Sequence, residues 1–342
     1  MYILRNVTIN DLDDLYELSQ LMVFINLPPD RNIIKKKIQS SIKSFKSPSE
    51  ELDKNYYIFV LEDFKSKKIV GVSMIHGKHG TEDEPHFYLK VGKEQKYSKT
   101  INTGFIHGTL KLGLITDGWT EIGGLILSPE LRGHPDRLGK QLSFVRFLYI
   151  GLHRNRFTDY IHSELMPPLD SKGQSPLWEA IGRRFMNMDY EDADRLSRQN
   201  KEFILSLYPS DTIYETLLPP EARFAIGKVG NETLPVKKML ESIGFHYTEE
   251  VDPFDGGPHY RAKTDEIKIV KQMQKDAKIE WVDLRGDDLD DYLVCVSNTP
   301  ENFLAIKVRG KKSKTALTLP SSQKEEYAEF FKSETVSYIA LS

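Results

Sequence analysis

The sequence lacks the features that mark several common classes of protein. It contains one cysteine, Cys295, which excludes an internal disulfide and a cysteine metal cluster. It has no long apolar run and no secretory leader, so neither a membrane span nor export is expected. These absences favour a protein of the reducing cytoplasm.

The charge of the chain shows no excess of one sign. Lysine and arginine number 47 against 50 for aspartate and glutamate, so the 342 residues carry a formal net charge of −3. No block rich in lysine or arginine offers a surface for nucleic acid. We therefore expect small-molecule ligands rather than nucleic acid or a membrane, and we expect no bound metal.

The hydrophobic pattern predicts an α/β (α+β) protein in two parts. A strand, a helix and a hairpin open the chain, whereas residues 81–119 show little regularity. The main domain is predicted over residues 1–270, with a helical insertion at 189–235. Short β-rich pieces predict a small module over 276–342, and the polar stretch 263–278 is predicted to be a helical bridge to it.

The most informative stretch is TEIGGLILSPELRGHPDRLGKQLSFVRF, residues 120–147, in which an apolar strand enters a turn and restarts as a helix. A helix start of this kind presents free backbone N–H groups and the positive end of the helix dipole, which suits a phosphate group. Glycines permit a close approach of the backbone, and basic side chains add charge-assisted hydrogen bonds. The alternative is a solvated turn that caps an ordinary helix. The candidate residues are Arg132, Gly133, Arg137, Gly139 and Lys140.

The order of these elements resembles the GNAT superfamily of acyl-coenzyme A N-acyltransferases. In that superfamily, a turn with the motif Arg/Gln-x-x-Gly-x-Gly/Ala binds the pyrophosphate of acyl-coenzyme A. The nearest match here runs from Arg132 to Gly139 and contains extra residues. The resemblance implies a GNAT-like fold with a helical elaboration and a small C-terminal β module.

Several phrases, in the same order, resemble the arginine N-succinyltransferase family: SPLWEAIGRRFMNMDYEDAD, IYETLLPPEARFAIGKV and DPFDGGP. The resemblance extends over nearly the whole chain. It implies transfer of succinyl from succinyl-coenzyme A to the α-amine of L-arginine, with ornithine as an alternative acceptor, and a homo- or hetero-oligomer. Leu125 stands at the family position for acyl-coenzyme A binding, and Leu127 on the same strand is assigned with it.

The sequence departs from this family at the proton-donor histidine. Alignment of FAIGKVGNETLPVKKMLESIGF places Gly230 there, and glycine cannot transfer a proton. The catalytic residue is therefore unassigned, with His246, His259 and Glu164 as candidates; surface or packing roles are the alternative for the two histidines. The departure keeps two other functions open: an acyltransferase with a different donor or amine, and a catalytically silent subunit that binds an amino acid or coenzyme.

Three carboxylates are candidates for binding the cationic acceptor. Glu164 ends the strand that follows the coenzyme helix, and strand alternation places it on the same face as His162. Asp252 and Asp255 lie in DPFDGGP, where they could pair with a guanidinium group. The alternative for this pair is a tight turn without a ligand, which Asp, Pro and Gly-Gly also suit.

Overall fold

The computed structural model describes residues 1–21, 27–284, 289–313 and 315–341. The strands of these residues are, in chain order, Tyr2–Asn6 (β1), Tyr56–Asp63 (β2), Ile69–His79 (β3), His86–Ser98 (β4), Thr103–Ile115 (β5), Trp119–Leu127 (β6), Tyr160–Glu164 (β7), Ile213–Tyr214 (β8), His246–Val251 (β9), Pro258–Lys263 (β10), Gln274–Val282 (β11), Asp290–Asn298 (β12), Phe303–Lys312 (β13), Ala316–Pro320 (β14) and Thr335–Ala340 (β15). The α-helices are Leu12–Leu21 (α1), Arg31–Lys46 (α2), Leu138–Leu152 (α3), Pro176–Ala180 (α4), Gly182–Met186 (α5), Tyr190–Ser197 (α6), Glu202–Leu207 (α7), Pro220–Ala225 (α8), Leu234–Ser242 (α9), Lys268–Lys271 (α10) and Lys324–Tyr327 (α11).

The chain forms two compact units. Unit 1 comprises Met1–Lys78, Thr120–Asp159 and Lys263–Ser342, and unit 2 comprises His79–Trp119 and Tyr160–Ala262. Both units contain strands and helices, which confirms the predicted α/β class.

The N-terminal strand explains why the C-terminal strands belong to unit 1. The strand order there is β12-β15-β11-β14-β13-β1-β2-β3-β6, and β1 pairs antiparallel with both neighbours. Leu4 lies opposite Leu61 on β2 and Ala305 on β13. Because this backbone ladder joins the two ends of the chain, the compact units do not follow the predicted boundary at residues 270–276.

Helices α1 and α2 cover one face of unit 1. The side chain of Asp30 begins α2 by accepting hydrogen bonds from the amides of Asn32 and Ile33, at 2.8 and 3.0 Å. Ile34 and Ile38, four residues apart, then pack in one buried cluster with apolar residues of β2, β3 and β6. Burial of each such side chain contributes about 1.5–3 kcal/mol.

Helix α3 is apolar around most of its circumference and is buried accordingly. It begins directly after the turn that the sequence analysis singled out, as expected. No helix among the described residues is both long enough and apolar enough to cross a membrane.

In unit 2 the strand order is β7-β10-β9-β4-β5-β8. The stretch 81–119, which showed little regularity, contains a long antiparallel hairpin that pairs from His86 and Ile115 to Ser98 and Thr103. Glycines and charged residues weaken the apolar alternation of these strands, so the pattern alone did not indicate them. Their buried residues pack against helices of the same unit.

The polar stretch 263–278 also differs from the expectation of a helical bridge. It is α-helical only at Lys268–Lys271, and β11 begins at Gln274. Strand β11 pairs with β14 in parallel and with β15 antiparallel. These long-range backbone hydrogen bonds override the local helical periodicity.

We predict that Asn6→Ala destabilises the protein by about 1–3 kcal/mol, because it removes the acceptor of a buried amide. Asn6 is 8% exposed, and its Oδ1 accepts from the amide of Phe303 at 2.9 Å. Urea denaturation measures the effect, with exposed Asn155→Ala as the control. Equal stability of the two variants would contradict this role.

Candidate active site

Strand β6 is irregular just before Leu125. Gly124 has φ of +56°, in the left-handed region that favours glycine, and a Cβ there would lie 2.7 Å from the sulfur of Met74. A strand residue in this conformation is typical of a β-bulge, which interrupts the ladder and re-aims the following groups. Leu125 and Leu127 are both half-buried.

A buried arginine that the sequence analysis did not identify lies against this irregularity. Arg146 of α3 is 2% exposed, and its Nη1 donates to the carbonyl of Gly123 at 3.4 Å. Its Nε donates to the Ser143 carbonyl at 3.0 Å and its Nη2 to the Ser143 hydroxyl at 2.7 Å. Burial lowers the pKa of Arg146 to about 9, which still leaves it charged at neutral pH. The sequence feature that could have indicated Arg146 is its position as an arginine within an otherwise apolar helical stretch.

The start of α3 presents free backbone donors. The amides of Lys140 and Gln141 donate to the carbonyl of Arg137, at 2.9 and 3.1 Å. In the described part of the chain, the amides of Leu138 and Gly139 donate no hydrogen bond. These two amides and the helix dipole therefore point at the turn.

The predicted glycines leave the backbone of this turn accessible. Gly133 has φ of +75°, and a Cβ built on it would meet nothing within 4 Å. A Cβ on Gly139 would meet Leu127 at 3.9 Å, an ordinary contact. Arg137 has φ of +54°, which is uncommon for a residue with a side chain and costs about 1–3 kcal/mol. Lys140 lies near Arg137, and burial together with that charge lowers its pKa.

Arg137 also lines a pocket of about 380 Å³ whose walls carry both signs of charge. Lys307 in this wall already pairs with Asp136 at 3.0 Å and with Asp291 at 3.2 Å. The lining residues are Asp136, Arg137, Leu289, Asp290, Asp291, Lys307 and Arg309.

Asp252 and Asp255 form a turn between β9 and β10, as the turn interpretation expected. Asp252 Oδ1 accepts from the amides of Phe254 and Asp255, at 2.7 and 3.0 Å, and Asp255 Oδ1 accepts from Gly257 at 2.7 Å. Burial raises the pKa of Asp255 to about 7, and burial with the nearby carboxylates of Asp255 and Glu164 raises that of Asp252. Among the described residues, no basic side chain forms an ion pair with either aspartate.

Glu164 lies beside three histidines in the same unit. Its Oε1 is 3.5 Å from Nδ1 of His86, 3.6 Å from Nε2 of His162 and 4.0 Å from Nε2 of His259. Burial lowers the pKa of His259 to about 3 and that of His86 well below its ordinary value. Two of the proposed proton-transfer residues, Glu164 and His259, are thus neighbours, whereas His246 is exposed at the start of β9.

The chain matches the sequence model of the family described as arginine N-succinyltransferase beta subunit over residues 2–269. It belongs to the arginine N-succinyltransferase family. This membership confirms the resemblance drawn from the sequence phrases and identifies the chain with a family of acyltransferases.

Individual members of the arginine N-succinyltransferase family agree with this assignment. The arginine N-succinyltransferase of Yersinia pestis (strain Pestoides F) is 34% identical over 291 residues, covering 84% of this chain and 81% of that protein. The arginine N-succinyltransferase subunit beta of Pseudomonas aeruginosa is 36% identical over 295 residues, covering 85% of each. The solved arginine/ornithine succinyltransferase subunit AI from Pseudomonas aeruginosa superposes with a TM-score of 0.83 at 26% identity, covering 100% of this chain and 99% of that one. This superposition confirms the predicted acyltransferase fold.

The position assigned to the histidine of the arginine N-succinyltransferase family adjoins the segment after Glu164. The amide of Gly230 donates to the carbonyl of Met166 at 2.9 Å. A Cβ on Gly230 would lie 3.0 Å from the carbonyl oxygen of Pro167, so a side chain there requires a shift of a few tenths of an ångström. Gly230 therefore lies close against the backbone of the segment that follows Glu164.

Proposed function

We propose that this chain transfers the succinyl group of succinyl-coenzyme A to the α-amine of L-arginine, with ornithine as an alternative acceptor. The family match over residues 2–269 carries this proposal, because it includes both the turn of unit 1 and the carboxylate turn of unit 2. The relatives' names specify succinyl transfer to arginine.

The donor side is assigned to the turn before α3. The free amides of Leu138 and Gly139 would hold the pyrophosphate of the coenzyme, and Arg132, Arg137 and Lys140 would add charge-assisted hydrogen bonds. The helix dipole contributes only about 0.3–1 kcal/mol at an exposed site. The amides and basic side chains therefore provide most of the affinity.

The irregular part of β6 is assigned to the acyl end of the coenzyme. Backbone groups near Leu125 would bind the pantetheine amides and the thioester oxygen, which gains negative charge in the transition state. The contact between Arg146 and the carbonyl of Gly123 holds this irregularity in place. Leu127 would pack beside the pantetheine.

The acceptor side is assigned to the carboxylates of unit 2. Asp255 is buried and Asp252 is half-buried, and neither has a basic partner among the described residues. An unpaired buried carboxylate is costly, and a cationic ligand offsets that cost. Arginine and ornithine both carry such a cation, and Glu164 adds a third negative charge nearby.

The amine attacks the thioester carbonyl directly in this proposal. The C–N bond forms, the C–S bond breaks, and the coenzyme leaves as a thiolate that takes up a proton. A cysteine intermediate is disfavoured because the thiol of Cys295 is buried, donates to the carbonyl of Ser297 at 3.2 Å, and has its pKa raised by burial to about 12. The α-amine, with a reference pKa of roughly 8, must lose its proton before attack.

We further propose an oligomeric enzyme of the cytoplasm. Relatives are named as subunits, which supports assembly, and the single cysteine supports a reducing compartment. Sedimentation analysis of the purified chain tests the first point.

Free-thiol release from succinyl-coenzyme A is expected on addition of arginine or ornithine to the purified protein. Nα-acetylarginine should give no release, because its α-amine is blocked, and acetyl-coenzyme A should be a poorer donor. A spectrophotometric thiol assay measures all four reactions. Coenzyme binding without turnover for any amine would instead indicate a silent subunit, and turnover only with another donor or amine would indicate a different acyltransferase.

We predict that Arg137→Ala and Arg132→Ala each weaken coenzyme A binding about 10- to 100-fold, since a hydrogen bond to a charged group contributes about 1.5–3 kcal/mol. Calorimetric titration with coenzyme A measures this. The control is Arg195→Ala, an exposed arginine of α6 in unit 2. Unchanged affinity in both turn variants would remove the phosphate role of this turn.

We predict that Asp255→Asn raises KM for arginine about tenfold or more while KM for succinyl-coenzyme A stays the same, because the amide preserves the turn but loses the charge. Steady-state kinetics with each substrate varied in turn measure the effect. Asp211→Asn, an exposed aspartate of unit 2, is the matched control. Identical arginine KM values in the two variants would contradict acceptor binding by this carboxylate.

A further inference from the structure

Three buried histidines meet Glu164 inside unit 2, and the proposed function gives these histidines no role. His86, His162 and His259 are 3%, 1% and 0% exposed. Their ring centroids are 4.9–5.0 Å from one another. One nitrogen from each ring and one oxygen of Glu164 all lie within 4.8 Å of each other.

The spacing of these groups does not correspond to hydrogen bonding. The three distances from Glu164 Oε1 to ring nitrogens are 3.5, 3.6 and 4.0 Å, beyond the usual N–H···O range of about 2.7–3.2 Å. Within the described ranges, Nε2 of His86 and both ring nitrogens of His162 and of His259 have no hydrogen-bond partner. Each buried unsatisfied nitrogen costs about 1–3 kcal/mol, so a cluster of them calls for a ligand.

We propose that His86, His162, His259 and Glu164 form a binding site for a divalent first-row transition-metal ion such as zinc. Four ligand atoms placed tetrahedrally about 2.0–2.2 Å from zinc lie roughly 3.3–3.6 Å apart. The separations from the glutamate oxygen are 3.5, 3.6 and 4.0 Å, and all four ligand atoms lie within 4.8 Å of one another, so the side chains would move inward to reach that geometry. This proposal replaces the expectation that no metal is bound.

The chemistry of the donor set favours this class of ion. Three imidazoles and one carboxylate suit zinc, cobalt, nickel or iron, whereas calcium and magnesium require oxygen ligands. Imidazole binds a metal in its neutral form, and burial favours that form for His86 and His259.

The positive charges nearest the cluster have partners of their own. Lys201 Nζ donates to the carbonyl of Pro85 at 3.1 Å, and Arg261 pairs with Glu250 at 2.8 Å. Glu164 would supply the negative charge among the four proposed ligands. The site would also connect β4, β7 and β10, which carry the four ligands.

The purified 342-residue chain, dialysed against chelator and then metal-free buffer, is titrated with Co²⁺ and with Zn²⁺ in the absence of arginine and coenzyme. We expect one Co²⁺ per chain with the intense visible absorption of a tetrahedral site, its displacement by Zn²⁺, and a higher Tm with either ion. Mg²⁺ at the same concentration should change none of these. The readouts are independent of activity, so the proposed reaction and this site can fail separately.

His162→Gln and Glu164→Gln are each expected to lower Co²⁺ affinity at least about tenfold. Even the loss of a residue that only hydrogen-bonds to a metal ligand lowers metal affinity by about that factor. His246→Gln, at an exposed histidine of the same unit, should keep the wild-type stoichiometry and spectrum. Absence of the tetrahedral spectrum in the wild type, or equal Co²⁺ affinity in His246→Gln and the ligand variants, would overturn the proposal. The wild-type spectrum decides the matter if a ligand variant does not fold.

Discussion

Burial of polar and charged groups in unit 2 is the constraint on which both proposed ligand sites of that unit depend. Asp255 and three histidines are withdrawn from water, and the aspartate has no basic partner among the described residues. Such burial is unfavourable unless ligands compensate it. A cationic amino acid at the aspartates and a metal ion at the histidines would provide this compensation.

Unit 1 presents hydrogen-bond donors and basic side chains, in contrast to the buried carboxylate of unit 2. Its distinctive features are backbone donors and basic side chains at the start of α3, together with a positive φ at Gly124 in the strand beside Leu125. These features suit a ligand with phosphates at one end and a thioester at the other. In the proposed function, the acyl-coenzyme A donor is thus assigned to unit 1 and the cationic acceptor to unit 2 of one chain.

Features formed by neighbouring residues could be predicted from the sequence, and features formed by distant residues could not. The strand, turn and helix around residues 120–147 and the Asp252 turn depend on local turn and helix-start chemistry, which short phrases reveal. The pairing of Ile3 with Ile306, and the approach of His86 and His259 to Glu164, bring together residues that no local spacing relates. The hairpin within 81–119 was missed because glycines and charges obscure its alternation.

The most direct test of the central claim is tandem mass spectrometry of the product formed from arginine and succinyl-coenzyme A. The account predicts one added succinyl group on the α-nitrogen, with an unmodified guanidinium group. A product succinylated on the side chain, or the absence of any succinylated arginine from reactions in which the protein binds both substrates, would contradict it.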